Sequence, residues 1–404
     1  MRVALLSMLD SAGEPGEGQK AFISFAGKTI ARRQIDLALA LGCERVVCLA
    51  ENLGPVLIGL QHEVEATGAK FHVISLPRAL SGLVRSADEL LVLADGVLPL
   101  AEEVQETLAK GQGVLTFSAE EGIPRGFERI DLNHAWSGAL IMPGRLVERL
   151  NELPRDCDGV ASLLRIALQG KVPERPLSDG ILPDGRWAML NSARDAELLE
   201  PGWFHRHVAI GDISTSGLGH WLGAWLAGKF GVNLLNRGVR PAYMLSGAGL
   251  LLVSALILGW LSMPGLGLIL LALAWLVGDA ASALDRGERA GNGARPGFAR
   301  ALLACRVMSD LILVALVSVG IGVRFVFWPE RLFVPLILIG LVWLVPGLST
   351  QRWGAICGDR ILLALLLAAG TLLGVLLPVA QCLILVLLGC GIAFSRLGSR
   401  LTRV

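Results

Sequence analysis

The pattern of apolar and polar positions changes abruptly along the chain. Before about residue 240, short apolar runs such as Val46 to Ala50 and Leu90 to Ala94 alternate with charged and Gly-rich segments. From about Tyr243 onward the chain is almost continuously apolar, in runs of roughly 20 residues, the length that crosses a bilayer core. The pattern therefore predicts a soluble first part and a membrane-spanning second part.

The first part reads as alternating strands and helices. The segments "RVALLSML", "FHVISL", "ELLVLADG" and "GVLTFS" have strand character, and helices are predicted over 29–41, 100–110 and 145–153. Such alternation predicts an α/β domain with a mostly parallel sheet covered on both faces. Ligands of these sheets bind at the carboxyl ends of the strands, where the loop "DSAGEPGEGQK" and Asp95 are expected.

The second part divides into six predicted transmembrane helices. They cover 243–263, 265–284, 301–322, 332–349, 360–378 and 379–395. Arginines collect in alternate connections, with a single exception in the short loop that contains Arg324, Glu330 and Arg331. The positive-inside rule then predicts a multi-pass protein of a bacterial-type inner membrane with both termini in the cytoplasm.

A linker separates the two parts. Trp221, Trp225 and Phe230 recur at helical spacing within "GLGHWLGAWLAGKFGVNLLNRGVRP", which predicts an amphipathic helix in the membrane interface. The alternative is an amphipathic helix packed on the soluble domain. The predicted domains are 1–205, a linker over 206–242, and a membrane domain over 243–404.

The net charge and the cysteine content give no support for a nucleic-acid partner, a disulfide or a cysteine-bound metal. The formal net charge of +1 gives no sign of a nucleic-acid partner. The seven cysteines show no CxxC spacing, which favours reduced packing residues over a disulfide or metal set.

The Gly-rich loop and Asp95 suit a nucleoside triphosphate. Glycines let backbone amides approach phosphates, a lysine neutralises their charge, and an aspartate after a strand can hold Mg²⁺ or Mn²⁺. The candidate residues are Gly13, Gly16, Gly18 and Lys20 for substrate and Asp95 for metal. The loop matches neither a P-loop nor GxGxxG, and the alternative is an ordinary loop.

The segment "AGEPGEGQKAFISFAGKTIARRQIDLALALGCERVVCLAE" resembles the opening of the sugar-phosphate nucleotidylyltransferases. The resemblance puts Lys20 at the family's signature lysine, Lys28 in its "GKP"-like turn, and Asp95 at its metal-binding aspartate. It implies a substrate-binding role for Lys28. In the closing segment "RWAMLNSARDAELLE", Met189 and Asn191 stand where the family has two aspartates.

The segment "ALDRGERAGNGARPGFARALLACRVMSD" places acids at the end of one apolar run and inside the next, where a carboxylate is costly without a function. It resembles the CDP-alcohol phosphotransferases, six-span enzymes with the motif D-x2-D-G-x2-A-R-x8-G-x3-D-x3-D. When the motif is aligned with this sequence without a gap, its four acid positions fall on Asp285, Glu288, Arg306 and Asp310. The resemblance implies metal binding by Asp285, Glu288 and Asp310, with Asp310 also the catalytic base.

Two alternatives remain open for this motif. A second register starts at Asp279, finds Ser282 at the second acid, and needs an insertion before Asp310. Arg306 either binds a substrate phosphate in place of one metal or simply pairs with Asp310 one helical turn away.

The order of the two parts is similar to that of bifunctional inositol-1-phosphate cytidylyltransferase and inositol-phosphate transferase fusion proteins. That likeness implies a transferase that uses CTP or a CDP-alcohol and a lipid or polyol acceptor, acting in phospholipid or polar-lipid head-group synthesis. The resemblance to the CDP-alcohol phosphotransferases implies a homodimer. The alternative from another class is a catalytically decayed membrane scaffold or regulator; a transporter fits less well because the ionisable groups crowd the helix ends.

Overall fold

A computed structural model describes residues 1–13, 18–108, 111–154, 157–183, 185–209, 217–289, 296–321, 328–348 and 352–401. The chain divides into two compact units. The first unit contains Met1–Trp203, and the second starts at Phe204 and contains most of the remaining chain.

A mostly parallel sheet forms the centre of the first unit. The strands of the unit are β1 (Arg2–Ser7), β2 (Ser24–Phe25), β3 (Lys28–Thr29), β4 (Arg45–Leu49), β5 (Lys70–Ile74), β6 (Glu89–Leu93), β7 (Val97–Leu98), β8 (Gly113–Ser118), β9 (Glu128–Arg129), β10 (His134–Pro143), β11 (Glu174–Pro176) and β12 (Ala188–Met189). The strand order of the main sheet is β11-β8-β10-β6-β1-β4-β5, with β9 paired to β10, while β2–β3 and β7–β12 form separate pairs. Strands β6, β1, β4 and β5 run parallel, whereas β10 is antiparallel to both of its neighbours β6 and β8.

Helices connect the strands of this unit. They are α1 (Ile30–Ala40), α2 (Pro55–Glu65), α3 (Ala101–Leu108), α4 (Ala119–Gly122), α5 (Gly159–Gln169) and α6 (Ala193–Ala209). The predicted helix over 145–153 is a 3-10 helix, Gly144–Glu152. The central strands β1, β4 and β6 are buried along almost their whole length, which explains their continuous apolar runs. The predicted α/β class is confirmed.

The second unit is helical. It contains α7 (Leu218–Asn236), α8 (Pro241–Trp260), α9 (Pro264–Arg289), α10 (Pro296–Ile321), α11 (Trp328–Leu344), α12 (Arg352–Cys357), α13 (Arg360–Leu372) and α14 (Leu376–Leu401). Five segments of the described chain are long and apolar enough to cross a membrane: Pro241–Trp260, Pro264–Glu288, Gly297–Ile321, Arg331–Leu348 and Leu376–Ser395.

The remaining predicted span, 360–378, is shorter than expected. Helix α13 has 13 residues and is followed by a turn at Gly374, whose φ is +71°. At about 1.5 Å per residue it is roughly 20 Å long, less than the ~30 Å of a hydrocarbon core. Composition alone did not predict that the helix ends before the turn at Gly374, and a sixth span in this region stays a prediction.

Helix α7 packs closely on its neighbours through small residues. A Cβ atom at Gly223 would lie 2.9 Å from the Cβ of Asp279 on α9, and one at Gly219 would lie 2.6 Å from Ile361 Cδ1 on α13. The large side chains Trp221, Trp225 and Phe230 are instead about half exposed on α7. The glycines thus bring the α7 backbone against the polar residues of α9 and α13.

Candidate functional site

A polar cleft of about 160 Å³ lies at the carboxyl ends of β1 and β6 in the first unit. These parallel neighbours end side by side, so the residues that come after them meet. We call this the first-unit cleft; its lining includes Ser7, Asp10, Lys20, Asp95, Glu128, Asp158, Met189 and Asn191.

Asp95 is the most buried carboxylate of this cleft, with 6% of its surface exposed. Its Oδ2 accepts hydrogen bonds from the Asp10 backbone N–H at 2.8 Å and from Ser7 Oγ at 3.4 Å. Burial raises the pKa of Asp95 to about 7; the nearby Asp10 carboxylate adds to this rise, and the Asp10 N–H and Lys20 oppose it.

The Gly-rich loop folds back on its own start and carries Lys20 into the cleft. The Lys20 N–H donates to the Asp10 carbonyl at 2.9 Å, and Lys20 Nζ lies 3.2 Å from Asp10 Oδ2. The Ala12 N–H donates to the Gly18 carbonyl, where Gly18 has φ +79°. The Gly13 N–H donates to the Asn191 carbonyl at 2.7 Å, so this amide holds the loop in place. The predicted Gly16 lies outside the described residues.

Gly96 allows the parts of the cleft to close on one another. Its φ is +71°, and a Cβ there would lie 2.5 Å from the Leu190 carbonyl oxygen and 3.3 Å from Lys20 Cδ. The Gly96 carbonyl accepts a hydrogen bond from the Leu190 N–H at 2.8 Å, beside the β7–β12 pairing. Any side chain at position 96 would therefore separate Asn191 and Lys20 from Asp95.

The donor set of the first-unit cleft fits one Mg²⁺ or Mn²⁺ ion. Asp95 Oδ1 is buried and has no hydrogen-bond partner among the described residues. The Asn191 side chain, which lines the same cleft, offers an amide oxygen. Mg²⁺ in enzymes commonly has one or two carboxylate ligands and completes its shell with water and substrate phosphates. Asp95 would hold the ion, with Asn191 as a neutral ligand where the resembled family has an aspartate.

Lys28 is not brought to the cleft. It lies in the short β2–β3 hairpin, and its Nζ is 2.8 Å from Asp36 Oδ2 on α1. A role for Lys28 in substrate binding stays a prediction.

A second polar cleft, of about 180 Å³, lies within the second unit. Its charged and polar lining comes from α7, α9, α10 and the start of α13. We call it the second-unit cleft; it includes His220, Trp275, Asp279, Arg306, Asp359 and Arg360.

The carboxylates near this cleft are engaged by protein donors. Asp279 Oδ1 lies 3.4 Å from Arg306 Nη2. Asp359 caps α13 by accepting from the Ile361 and Leu362 N–H groups, and its Oδ2 accepts from the Gly219 N–H at 2.7 Å.

Asp310 is likewise held by other side chains. Arg360 Nε donates to its Oδ1 at 2.9 Å, while Arg360 Nη2 and Trp343 Nε1 donate to its Oδ2 at 3.1 and 2.9 Å. The alternative that Asp310 pairs with Arg306 is wrong, because each has a different partner.

The predicted metal ligands of the second unit do not converge. Asp285 and Glu288 are buried on α9 but are not part of the second-unit cleft. Asp279, the first residue of the alternative register, lines the cleft beside Arg306. With Asp310 and Asp359 engaged by arginine, tryptophan and backbone donors, the described residues of the second-unit cleft do not fit a divalent metal pair. Metal binding by Asp285 and Glu288 stays a prediction.

Sequence reasoning missed His220 and Asp359 as cleft residues. Asp359-Arg360 looked like an ordinary loop charge, and His220 was overlooked inside an amphipathic helix. One signal was available for Asp359, because an aspartate immediately before a long apolar run is typical of a helix N-cap.

No protein-family model matches the chain, and no curated protein matches it. Among solved structures it is similar to the inositol-1-phosphate CTP transferase from T. maritima, with 13% identity, a TM-score of 0.37, and coverage of 49% of this chain and 95% of that chain. It is also similar to a UDP-glucose pyrophosphorylase from Acinetobacter baumanii, with 9% identity, a TM-score of 0.36, and coverage of 52% and 96%. At these values the likeness does not bear on activity, and we draw the function from the two clefts.

Proposed function

We propose that the first unit transfers a nucleotidyl group from a nucleoside triphosphate, CTP in the first instance, to a polyol phosphate. The observation that carries this proposal is the buried, unpartnered Asp95 Oδ1 in the same cleft as Lys20. An acidic metal ligand and a cation that meet at the carboxyl ends of parallel strands suit a triphosphate.

In this reaction a phosphate oxygen of the polyol phosphate attacks the α-phosphorus of CTP. The bond from that phosphorus to the bridging oxygen breaks, and pyrophosphate leaves with the electron pair. Lys20 would neutralise charge on the triphosphate, and Asp95 would hold the divalent ion. The ion supplies electrostatic stabilisation of the phosphate oxygens.

The test is a pyrophosphate-release assay on the purified full chain in detergent. CTP and the other nucleoside triphosphates are each supplied with Mg²⁺ or Mn²⁺ and a panel of polyol phosphates that includes inositol 1-phosphate. We expect pyrophosphate and a CDP-linked product, both lost in Asp95→Asn. Pyrophosphate formed equally by Asp95→Asn would rule out this site.

For the second unit, we propose transfer of the phospho-alcohol from the CDP-alcohol to a lipid or polyol acceptor, with release of CMP. Supporting this step, a polar cleft in the unit carries Asp279 and Arg306. For Asp310 to act as the base, Arg360 and Trp343 would have to release it. CMP release after addition of a CDP-alcohol and membrane lipid extract measures this step, and its loss in Asp310→Asn is the expected result.

A second candidate for the same unit is a non-catalytic scaffold or regulator of lipid head-group synthesis. The ion pairs of Asp279 with Arg306 and of Asp310 with Arg360 favour it, because each carboxylate already contacts a guanidinium of the protein. Product formation by the first unit with no CMP release under any acceptor would support this candidate.

A further inference from the structure

Two donor groups of α9 remain unsatisfied in the neighbourhood of the second-unit cleft. Trp275 is 6% exposed, lines the cleft, and its Nε1 has no hydrogen-bond partner among the described residues. Two nitrogens of Arg286, Nε and Nη2, are also buried without such a partner. Buried polar groups are almost always hydrogen-bonded, so these donors indicate an absent acceptor.

The spacing puts these donors on one side of α9. Trp275, Asp279 and Arg286 are separated by four and seven residues, which aligns them along one helix face. Arg286, Arg306 and His220 all interact electrostatically with Asp279. Trp275 lies one turn of α9 before Asp279 and Arg286 about two turns after it, so a phosphate beside Asp279 and Arg306 would lie between these two donors.

We infer that the second-unit cleft binds a phosphate group directly, without a divalent metal. Guanidinium and indole groups donate only, so their complement is an oxygen-rich anion, and arginine matches phosphate geometry in particular. The two carboxylates that line the cleft, Asp279 and Asp359, contact Arg306 and backbone N–H groups, and Asp310 contacts the cleft residue Arg360. The inference stands whether or not either unit catalyses transfer.

The direction in which Asp279→Asn changes the affinity for phosphate distinguishes this site from a metal site. In Asp279→Asn, the negative charge beside Arg306 is lost and the guanidinium is released. A phosphate site then binds its ligand about fivefold more tightly, whereas a metal site loses a ligand and weakens. Arg286→Gln should weaken binding about tenfold or more, because it removes hydrogen bonds from a charged donor.

The experiment measures pyrophosphate binding by calorimetry to the full chain in detergent with EDTA present. All variants carry Lys20→Ala, which removes the cation of the first-unit cleft. Arg237→Gln, at the exposed end of α7, is the matched arginine control and should leave the dissociation constant unchanged. Arg286→Lys keeps the positive charge but loses the planar guanidinium, so its dissociation constant should lie between those of the parent and Arg286→Gln. Thermal unfolding checks that each variant is folded.

A second arm distinguishes a soluble phosphate ligand from a lipid head group. The same proteins are placed in nanodiscs of phosphatidylcholine with or without phosphatidic acid. Binding of either phosphate source with the stated response to Asp279→Asn and Arg286→Gln supports the inference, and the source that binds identifies the ligand. The inference is overturned if neither binds, if binding requires Mg²⁺ and weakens in Asp279→Asn, or if Arg286→Gln behaves like Arg237→Gln.

Discussion

The two clefts contain similar residue types but use their carboxylates in opposite ways. In the first-unit cleft, Asp95 keeps one buried oxygen open while its other oxygen accepts from Ser7 and the Asp10 N–H. In the second-unit cleft, Asp279 contacts Arg306 and Asp359 accepts from backbone N–H groups, while both oxygens of Asp310 accept hydrogen bonds from the cleft residue Arg360 and from Trp343. An acid therefore indicates a metal site only when its lone pairs are not already taken by protein donors.

This difference shows that a match to a sequence motif does not by itself establish a metal site. An arginine that faces a carboxylate neutralises it without any metal, and the pair becomes part of the protein packing. A buried carboxylate with one open oxygen is unfavourable until a cation arrives. The first-unit cleft should thus respond to metal, and the second-unit cleft should not.

The sharpest test of this contrast is Asp95→Asn. Loss of the anionic metal ligand should lower nucleotidyl transfer by about 10³-fold, because metal stabilisation of phosphate charge is worth several kcal/mol. Pyrophosphate release measures the effect, and Mn²⁺ binding by electron paramagnetic resonance measures the ion. The assay should use a His134→Ala background, since Asp131, His134 and Glu174 form a separate exposed cluster that could hold a cation.

Substitution of Lys20 and of Lys28 tests which of these two lysines, both matched by the family resemblance, binds the triphosphate. Lys20→Ala should reduce transfer about 10²-fold by removing one charged contact to the triphosphate. Lys28→Ala should leave transfer within about threefold, because Lys28 pairs with Asp36 outside the cleft. Equal losses of transfer in the two variants, with unchanged thermal unfolding, would indicate that the triphosphate binds near the β2–β3 hairpin.

The pH dependence rests on the raised pKa of Asp95, about 7. The ion binds ionised Asp95, so metal affinity should fall about tenfold per pH unit below that value and level off above it. In the metal-free protein, the folded state holds this proton more tightly than the unfolded state. The free energy of unfolding should then decline as pH rises from about 4 to 7, and Mg²⁺ should reverse the decline. Titrating Asp95→Asn should give neither effect.

The smallest effect is expected from Ser7→Ala. It removes the long Ser7 Oγ to Asp95 hydrogen bond, leaving the Asp10 N–H to orient the carboxylate. Transfer should fall about threefold or less. A loss as large as that of Asp95→Asn would show that Ser7 itself contacts the substrate.

Much of the first unit could be predicted because its signals are local. Strand runs, the Thr29 cap of α1 and the position of Asp95 after β6 are all set within a few residues. The partners of Asp95 could not be predicted, since Ser7 and Asp10 are brought to it only by the pairing of β1 with β6. For the second unit, sequence spacing favoured Asp285, whereas helix packing puts Asp279 beside Arg306. Spacing alone could not reveal this packing, because the motif counted from Asp279 needs an insertion before Asp310 and therefore looked like the poorer match.

The loop from Asp10 to Lys20 has a consequence for the order of synthesis. Its own closing contacts are local, but it is tethered by the Asn191 carbonyl, and the Ala26 N–H donates to Glu200 Oε1 at 2.7 Å. Because Asn191 also lines the first-unit cleft, a chain made from its N-terminus cannot complete this cleft until Asn191 has left the ribosome. Asn191 and Glu200 precede the first helix that is long and apolar enough to cross a membrane, Pro241–Trp260, so the cleft can be completed before that helix is made.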